Sequence, residues 1–550
     1  MKSILALLAV ALAVGTYYIG YQTLRDVIRS PRQSFDAIFH DSHGDVLQKQ
    51  KQSGSKNSLS GNPTKLSIYS ERKDETISVS STLATSSNVA NGNSMDDNDI
   101  IADKIKRTTV LKQKPGKVMP KKNRNNNLVS KDSMDDLTLA ETFLKQKNYN
   151  KALDAFDPIL KRDPTNVLAR YGKAKALDKL AEQERSNQLL HKAIENYHKV
   201  GEQRHCSVEL RKAAYLRLAD RASFLGSHKK AMEVLEKLVK ESPTDVNILN
   251  KLGIQYLLIK QNSQAESTYR KVLEISPDDG FAQVHLGFLL NTKSQYHEAI
   301  PLLSAGINSQ QPGTDAAKFY LYLGDALTRV GRKSEADSVY NNGVIKGYFL
   351  SEWQRSLYNV DRLRGKPWWN AEETGYLSSV RLLEKHWKSI LKEGLNILNQ
   401  ETAGFQRETE NLRCRGDWKQ FQLYVRGQRN DDNCKRAPLT CSIINQIPEA
   451  KSNKRGQVQY SVMFPGTHIW PHTGPTNCRL RLHLGLKVPS AVSIRVGNET
   501  RFWEEGKVMI LDDSFEHEVW HNGDSLRLVF IVDVWHPDLT TSERAELFPV

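Results

Sequence analysis

Three residues near the C-terminus have the types and the spacing to do chemistry. His472 stands in Trp470-Pro471-His472-Thr473-Gly474-Pro475, and His517 in Phe515-Glu516-His517-Glu518-Val519-Trp520. Arg527 follows ten residues after the second histidine, inside the apolar run Leu526-Arg527-Leu528-Val529-Phe530-Ile531-Val532. Imidazole is a natural ligand for iron, and iron supplies the one-electron chemistry that O2 requires. One histidine alone is more often structural than a ligand; a second histidine with a cation one strand further on favours the site reading. A guanidinium among such apolar neighbours must be paired if it is buried, and a ligand carboxylate held bidentately is a good partner. Arg481 and His483 alternate with Leu480, Leu482 and Leu484, so on a strand they share a face with Arg479. These cations would hold the far end of the same ligand; a solvated sheet face is the alternative. Two residues after the first histidine, where a facial triad has its carboxylate, the chain has Gly474. Either water replaces that carboxylate or another acid, such as Asp513, swings in.

The order of these parts is that of an iron(II)- and 2-oxoglutarate-dependent dioxygenase, and strands must carry it. The pattern after Trp418 predicts strands over Val458–Phe464, Leu480–Val488, Ala491–Val496, Lys507–Leu511 and Ser525–Val534. Short strands between Gly, Pro and Asn turns suggest a β-sandwich or jelly roll. His472 falls at a strand end or loop, and His517 opens a strand.

Upstream the periodicity is helical. Ala231 and Pro243 are 12 apart, as are Ala265 and Pro277, and as are Ala152 and Pro164. Ala219, Gly253 and Gly287 step by 34. That is the period of tetratricopeptide repeats, in which a small residue lets two antiparallel helices approach and a proline separates units. Pro164 to Pro243 is 79 residues, two periods plus 11, so the early units are irregular. Gly324 and Ala336 mark a further unit, shifted by an insertion around Gln310 to Gly313. A solenoid of this kind offers a groove that commonly binds peptides; a plain spacer is the alternative. The repeat stops around Lys366-Pro367-Trp368-Trp369, and Leu377 to Leu398 reads as a last amphipathic helix.

At 550 residues the chain needs two or more domains. Its formal charge of +15 could suggest nucleic acid. The lysines and arginines of residues 104–124, however, crowd a segment with almost no apolar periodicity, so we expect a solvated basic tether and no nucleic-acid partner, with a membrane-surface or partner contact as the alternative. Residues Gln33 to Ser133, poor in aromatics and rich in Ser, Asn, Asp and Lys, are expected to be disordered. Ile4 to Tyr21 is apolar and long enough to span a bilayer, with tyrosines at one end. A signal anchor is the reading; a cleaved signal peptide competes with it. Among five cysteines, Cys434 and Cys441 lie seven apart across a proline-containing run. They form either a short loop disulfide in an oxidising compartment or two free thiols.

The motifs around these residues are long. Tyr460-Ser461-Val462-Met463, Trp470 through Arg481, Trp503-Glu504-Glu505-Gly506-Lys507-Val508 and Asp512 through Trp520 resemble the aspartyl/asparaginyl β-hydroxylase family. The resemblance runs from about Trp368 to Asp538 and more loosely over the repeats and the anchor. It implies hydroxylation of the β-carbon of Asp or Asn in epidermal-growth-factor-like domains, with Fe(II), O2 and 2-oxoglutarate. It implies that His472 and His517 bind iron, and that Trp418, Ser461, Met463, Arg481, His483, Arg527 and Val529 form the 2-oxoglutarate pocket. Arg479 and Glu410 match substrate-contacting positions, although the family's acid beside Glu410 is Thr409 here. Gly474 matches the family, and Cys434 and Cys441 match its loop disulfide. The resemblance further implies a single-pass type II protein of the endoplasmic reticulum membrane with its body in the lumen. The expected architecture is multidomain α+β. It comprises an anchor over 1–32, a disordered linker over 33–132, an α-helical tetratricopeptide solenoid over 133–365 and a double-stranded β-helix oxygenase over 366–550. A catalytically inactive repeat scaffold that binds client proteins is the alternative.

Overall fold

The computed structural model describes residues 131–399 and 404–550. The apolar stretch Ile4–Tyr21 and the polar linker up to residue 130 lie outside the described residues. Among the described residues no helix is long and apolar enough to cross a membrane. Those residues fall into two compact units, divided between Leu218 and Ala219.

The first unit is helical: Lys131–Lys145, Tyr149–Arg162, Val167–Glu184, Asn187–Gly201 and the start of Val208–Phe224. The irregular spacing before Pro243 has its cause here. The helix Val167–Glu184 runs to 18 residues and Val208–Phe224 to 17, whereas the helices Val246–Leu258 and Gly280–Thr292 of the later repeats have 13. Ala152 and Phe156 are fully buried and form the centre of this unit's core with Ala140, Ile159 and Ala169.

The second unit continues with helices His228–Glu241, Val246–Leu258, Asn262–Ile275, Gly280–Thr292, Tyr296–Asn308, Ala317–Arg329 and Lys333–Ile345. The small residues serve the close approach expected of them. A Cβ on Gly253 would stand 2.6 Å from Cζ of Tyr269, so only glycine lets that ring seat between the two helices. The marker prolines Pro164, Pro243 and Pro277 lie between helices, and a capping residue follows two positions after each. Asp245, after Pro243, accepts from the amide of Ile248 at 3.1 Å, and Asp279, after Pro277, accepts from Ala282 at 2.7 Å. These caps satisfy amides that the first helical turn leaves without partners.

A β-rich domain follows in the same unit. Its larger antiparallel sheet has the order Trp368–Trp369, Val508–Leu511, Arg479–Lys487, Arg527–Trp535, Gln457–Met463, Trp418–Val425, Gln406–Arg407, with Gln428–Arg429 paired to Trp418–Val425. The smaller has the order Glu499–Phe502, Val492–Val496, His517–His521, His468–His472, Arg413–Arg415. The five expected strands lie within two residues of their expected ends. The strand His468–His472 was expected only as a strand end or loop. The larger sheet has two apolar faces, as alternation requires. Leu480, Leu482, Leu484, Leu528, Phe530 and Val532 pack against helices on one side. Met463, Val529 and Ile531 face the other way and meet Ile469, Ile494 and Val496 of the smaller sheet. The expected helix Leu377–Leu398 is two, Leu377–Lys385 and Trp387–Leu398, broken at His386.

Candidate active site

The inner space between the two sheets collects the residues singled out by their spacing. His472 ends its strand and His517 begins the neighbouring one, in direct register. Their rings lie 4.1 Å apart between centroids. Each imidazole is oriented by its own chain. Nδ1 of His472 donates to the carbonyl of Trp470 at 2.7 Å, and Nδ1 of His517 to that of Phe515 at 2.9 Å. A carbonyl can only accept, so both protons sit on Nδ1 and both Nε2 lone pairs are left for a ligand. Burial, and then the other imidazole's charge, pushes His472 well below the usual histidine range. Burial likewise lowers His517. Neutral, convergent and correctly tautomeric imidazoles fit a soft-to-borderline divalent metal such as iron(II).

Gly474 explains itself in space. A Cβ there would stand 2.5 Å from Oδ2 of Asp513. The carboxylate of Asp513 therefore fills the place where a side chain at 474 would begin. It does not swing onto the histidines: Arg479 grips it with Nε at 3.1 Å and Nη2 at 2.6 Å, and Arg481 approaches at 3.3 Å. Among the described residues no three His, Cys, Asp or Glu side chains are grouped to hold a metal. The two imidazoles are the side chains gathered here, and what would complete a metal's coordination is left open between water and another acid.

Arg481 also pairs with Asp533, at 2.7 and 2.9 Å, while Arg479 approaches the same acid at 3.3 Å. Burial works against the charge on Arg481, but Asp513 and Asp533, and more weakly Glu410, raise its basicity. Asp513 was expected only as an alternative metal ligand and Asp533 not at all, so neither acid was foreseen as an arginine's partner. Asp533 was findable, since it alternates with Arg527, Val529 and Ile531 on one strand.

Arg527 is a different case. It is 2% exposed, and among the described residues its one hydrogen bond runs from Nη1 to Oγ of Ser461 at 3.1 Å, with Nε left unpartnered. Its guanidinium lies over Trp503, 4.4 Å from the ring centroid. Burial alone pulls its pKa down to about 9. Ser461 accepts a second bond, from Nε1 of Trp418 at 3.0 Å, so its hydroxyl proton is available to point outward. Trp503 donates to Nδ1 of His483 at 3.3 Å, which puts the His483 proton on Nε2, another buried atom without a partner. Burial, and next Arg527, holds His483 neutral. Three donors without acceptors, one of them cationic, fit a carboxylate anion. Met463 and Val529, both fully buried, supply the apolar wall.

Glu410 is exposed in the loop between strands Gln406–Arg407 and Arg413–Arg415. Cys434 and Cys441 are bonded to each other and buried on the outer face of the larger sheet, behind the site. Sequence reading also missed Arg355, in the non-helical segment after Ile345. It donates to Glu516, next to His517, at 2.7 Å.

Residues 384–537 match the Aspartyl/Asparaginyl beta-hydroxylase family model, and residues 137–196 and 213–245 match tetratricopeptide-repeat models. The chain is 46% identical over 457 residues to the aspartyl/asparaginyl beta-hydroxylase of Mus musculus and 47% identical over 442 to that of Homo sapiens. Those matches cover 83% and 80% of this chain, and 62% and 58% of the two relatives. Against aspartate beta-hydroxylase domain-containing protein 2 of Homo sapiens it is 40% identical over 174 residues, 30% of this chain and 47% of that one. Motifs, site geometry and relatives agree: residues 384–537 form a domain of the aspartyl/asparaginyl beta-hydroxylase family, and tetratricopeptide repeats precede it.

Proposed function

We propose that this protein is an iron(II)- and 2-oxoglutarate-dependent dioxygenase that hydroxylates the β-carbon of Asp or Asn residues in epidermal-growth-factor-like domains. The observation that carries the reading is the buried guanidinium of Arg527, with no acid beside it among the described residues, in the same inter-sheet space as two imidazoles whose Nε2 atoms are open. When bound, the iron and cosubstrate would supply oxidative decarboxylation: O2 and 2-oxoglutarate become succinate and CO2, and one oxygen atom ends on the substrate's β-carbon. The chain's own part is positioning. His472 and His517 would hold the metal in fixed orientation. Arg527 and Ser461 would take the cosubstrate's distal carboxylate, with Trp418 orienting Ser461, and His483 would face its other end. Met463 and Val529 would exclude water from its methylenes. Arg481, and Arg479 and Glu410 toward the substrate, complete the charged rim. The repeats are the expected arm for engaging protein substrates.

The apolar stretch Ile4–Tyr21 and the bonded Cys434 and Cys441 support residence in the endoplasmic reticulum membrane with the body in the lumen. The test incubates the protein with an epidermal-growth-factor-like peptide, with and without Fe(II) and 2-oxoglutarate. A gain of one oxygen on Asp or Asn, matched by succinate, is expected only with both. Peptide binding with no mass gain under any condition would instead mark an inactive scaffold.

A further inference from the structure

We infer that Arg329, the last residue of helix Ala317–Arg329, is a positioning residue for the peptide side of the candidate site. The inference rests on the functional reading above, in which Glu410 borders the peptide. Arg329 belongs to the repeats, yet one of its hydrogen bonds ends on the oxygenase domain. Nη1 donates to the backbone carbonyl of Asn411 at 2.7 Å and to the hydroxyl of Tyr296 at 3.1 Å. Nε donates to Asp325 at 2.8 Å, which fixes the fork. The guanidinium also lies over Tyr296 and Trp470, 5.5 and 5.9 Å from their ring centroids. Only 6% of the side chain is exposed, so this is a built contact rather than a surface encounter.

What the fork holds is a tight loop. Asn411 adopts a left-handed φ of 56°, which asparagine tolerates better than most side chains. Its side-chain amide donates to Oγ of Ser294 at 2.7 Å and to Tyr296 at 3.1 Å, so the repeats grip this residue twice. Next to it, the amide of Leu412 donates to Glu408 at 3.1 Å and its carbonyl accepts from Trp470 at 2.8 Å. The carbonyl of Trp470 is the one that orients His472. A run of hydrogen bonds therefore leads from a repeat helix, through the loop that carries Glu410, to a candidate metal ligand. Arg329 does not reach the reacting atoms; it acts through Asn411 and Leu412.

The experiment compares full-length wild type with Arg329→Ala, Arg329→Lys and Asn411→Ala. Lysine keeps the charge but loses the fork, so it should fall between wild type and alanine. The expected result for Arg329→Ala is a KM for peptide raised tenfold or more, with kcat and the KM for 2-oxoglutarate within twofold. Hydrogen exchange at the amides of Leu412 and Trp470 should quicken at least tenfold, with exchange in the large sheet unchanged. The double variant Arg329→Ala/Asn411→Ala should be no worse than the worse single one, because both release the same loop. An unchanged peptide KM, or equal losses in kcat and in the affinity for 2-oxoglutarate, would overturn the inference. So would unchanged exchange at Leu412, which needs no turnover to be read. A wild type that hydroxylates no peptide would count against the functional reading, and the exchange result would still decide the role of Arg329.

Discussion

Two sets of buried arginines face the same inter-sheet space and meet the same electrostatic problem differently. Arg479 and Arg481 are matched by Asp513 and Asp533, in two pairs with short bidentate contacts. Burial would raise Asp513, yet the two guanidiniums hold it well below the carboxylate range. Arg527, one strand away, has a serine and a tryptophan face and, among the described residues, no acid. A buried cation left alone is costly, so a protein keeps one only where something else completes it. The paired set is closed, balanced by its own acids; the single arginine is open, and the proposed function gives it a ligand. Asp512 makes the same point from the acid side. It is as buried as Asp513 but has only Ser514 for a partner, and burial, with Asp513's charge, pushes it up to about 8.

The largest effect should come from removing what neither arginine set supplies. His517→Ala should abolish iron binding and turnover while leaving the circular dichroism spectrum and melting curve close to wild type. Normal activity in that variant would move the metal site elsewhere.

Next is the closed set. Asp513→Ala leaves two buried guanidiniums with one acid between them and should cost roughly 3–5 kcal/mol of stability. Chemical denaturation measures it; a loss below about 1 kcal/mol would mean the pairs contribute little to the fold.

The open arginine should respond in the opposite sense. Arg527→Ala should leave stability level or slightly raised, since an unpaired buried charge is gone. Its requirement for 2-oxoglutarate should climb about tenfold or more, the loss of a charge-assisted bond of roughly 1.5–3 kcal/mol. Succinate release against 2-oxoglutarate concentration reads this directly, and an unchanged dependence would remove Arg527 from the pocket.

Asp512→Asn should be the mildest at neutral pH, because the wild-type carboxyl already carries its proton there. The pH dependence has a definite sign. The native pKa of about 8 lies above the unfolded value of 3.8, so the folded state holds a proton that the unfolded state has lost. That contribution is full below 3.8 and fades as pH rises towards 8, by about 1.4 kcal/mol per pH unit. Melting curves between pH 5 and 8 should therefore fall more steeply for wild type than for the asparagine variant.

How much of this could be read from the chain follows from the range of the contacts. His517 and Arg527 announce themselves because each belongs to a local alternation, and the 34-residue step of the repeats is likewise local. The partners of the arginines are not. Arg481 meets Asp533 only because the strands Arg479–Lys487 and Arg527–Trp535 are neighbours, a pairing 52 residues apart. Arg355 and Glu516 are 161 residues apart, and the segment holding Arg355 has no periodicity to mark it. Gly474 could be noticed in the sequence, but its reason, a carboxylate occupying its side-chain space, exists only in three dimensions. The break at His386 was hidden by an apolar stripe that continues on both sides of it.

The two histidines take their bearings from the main chain, each from a carbonyl two residues earlier in the sequence. Every amino acid brings that carbonyl. Trp470 and Phe515 can therefore change identity without altering the tautomer of either ligand, so long as the strands persist. In the proposed function, metal-binding capacity is thereby uncoupled from the side chains around it. Those neighbours are free to diverge in the service of different substrates while the ligand pair stays as it is.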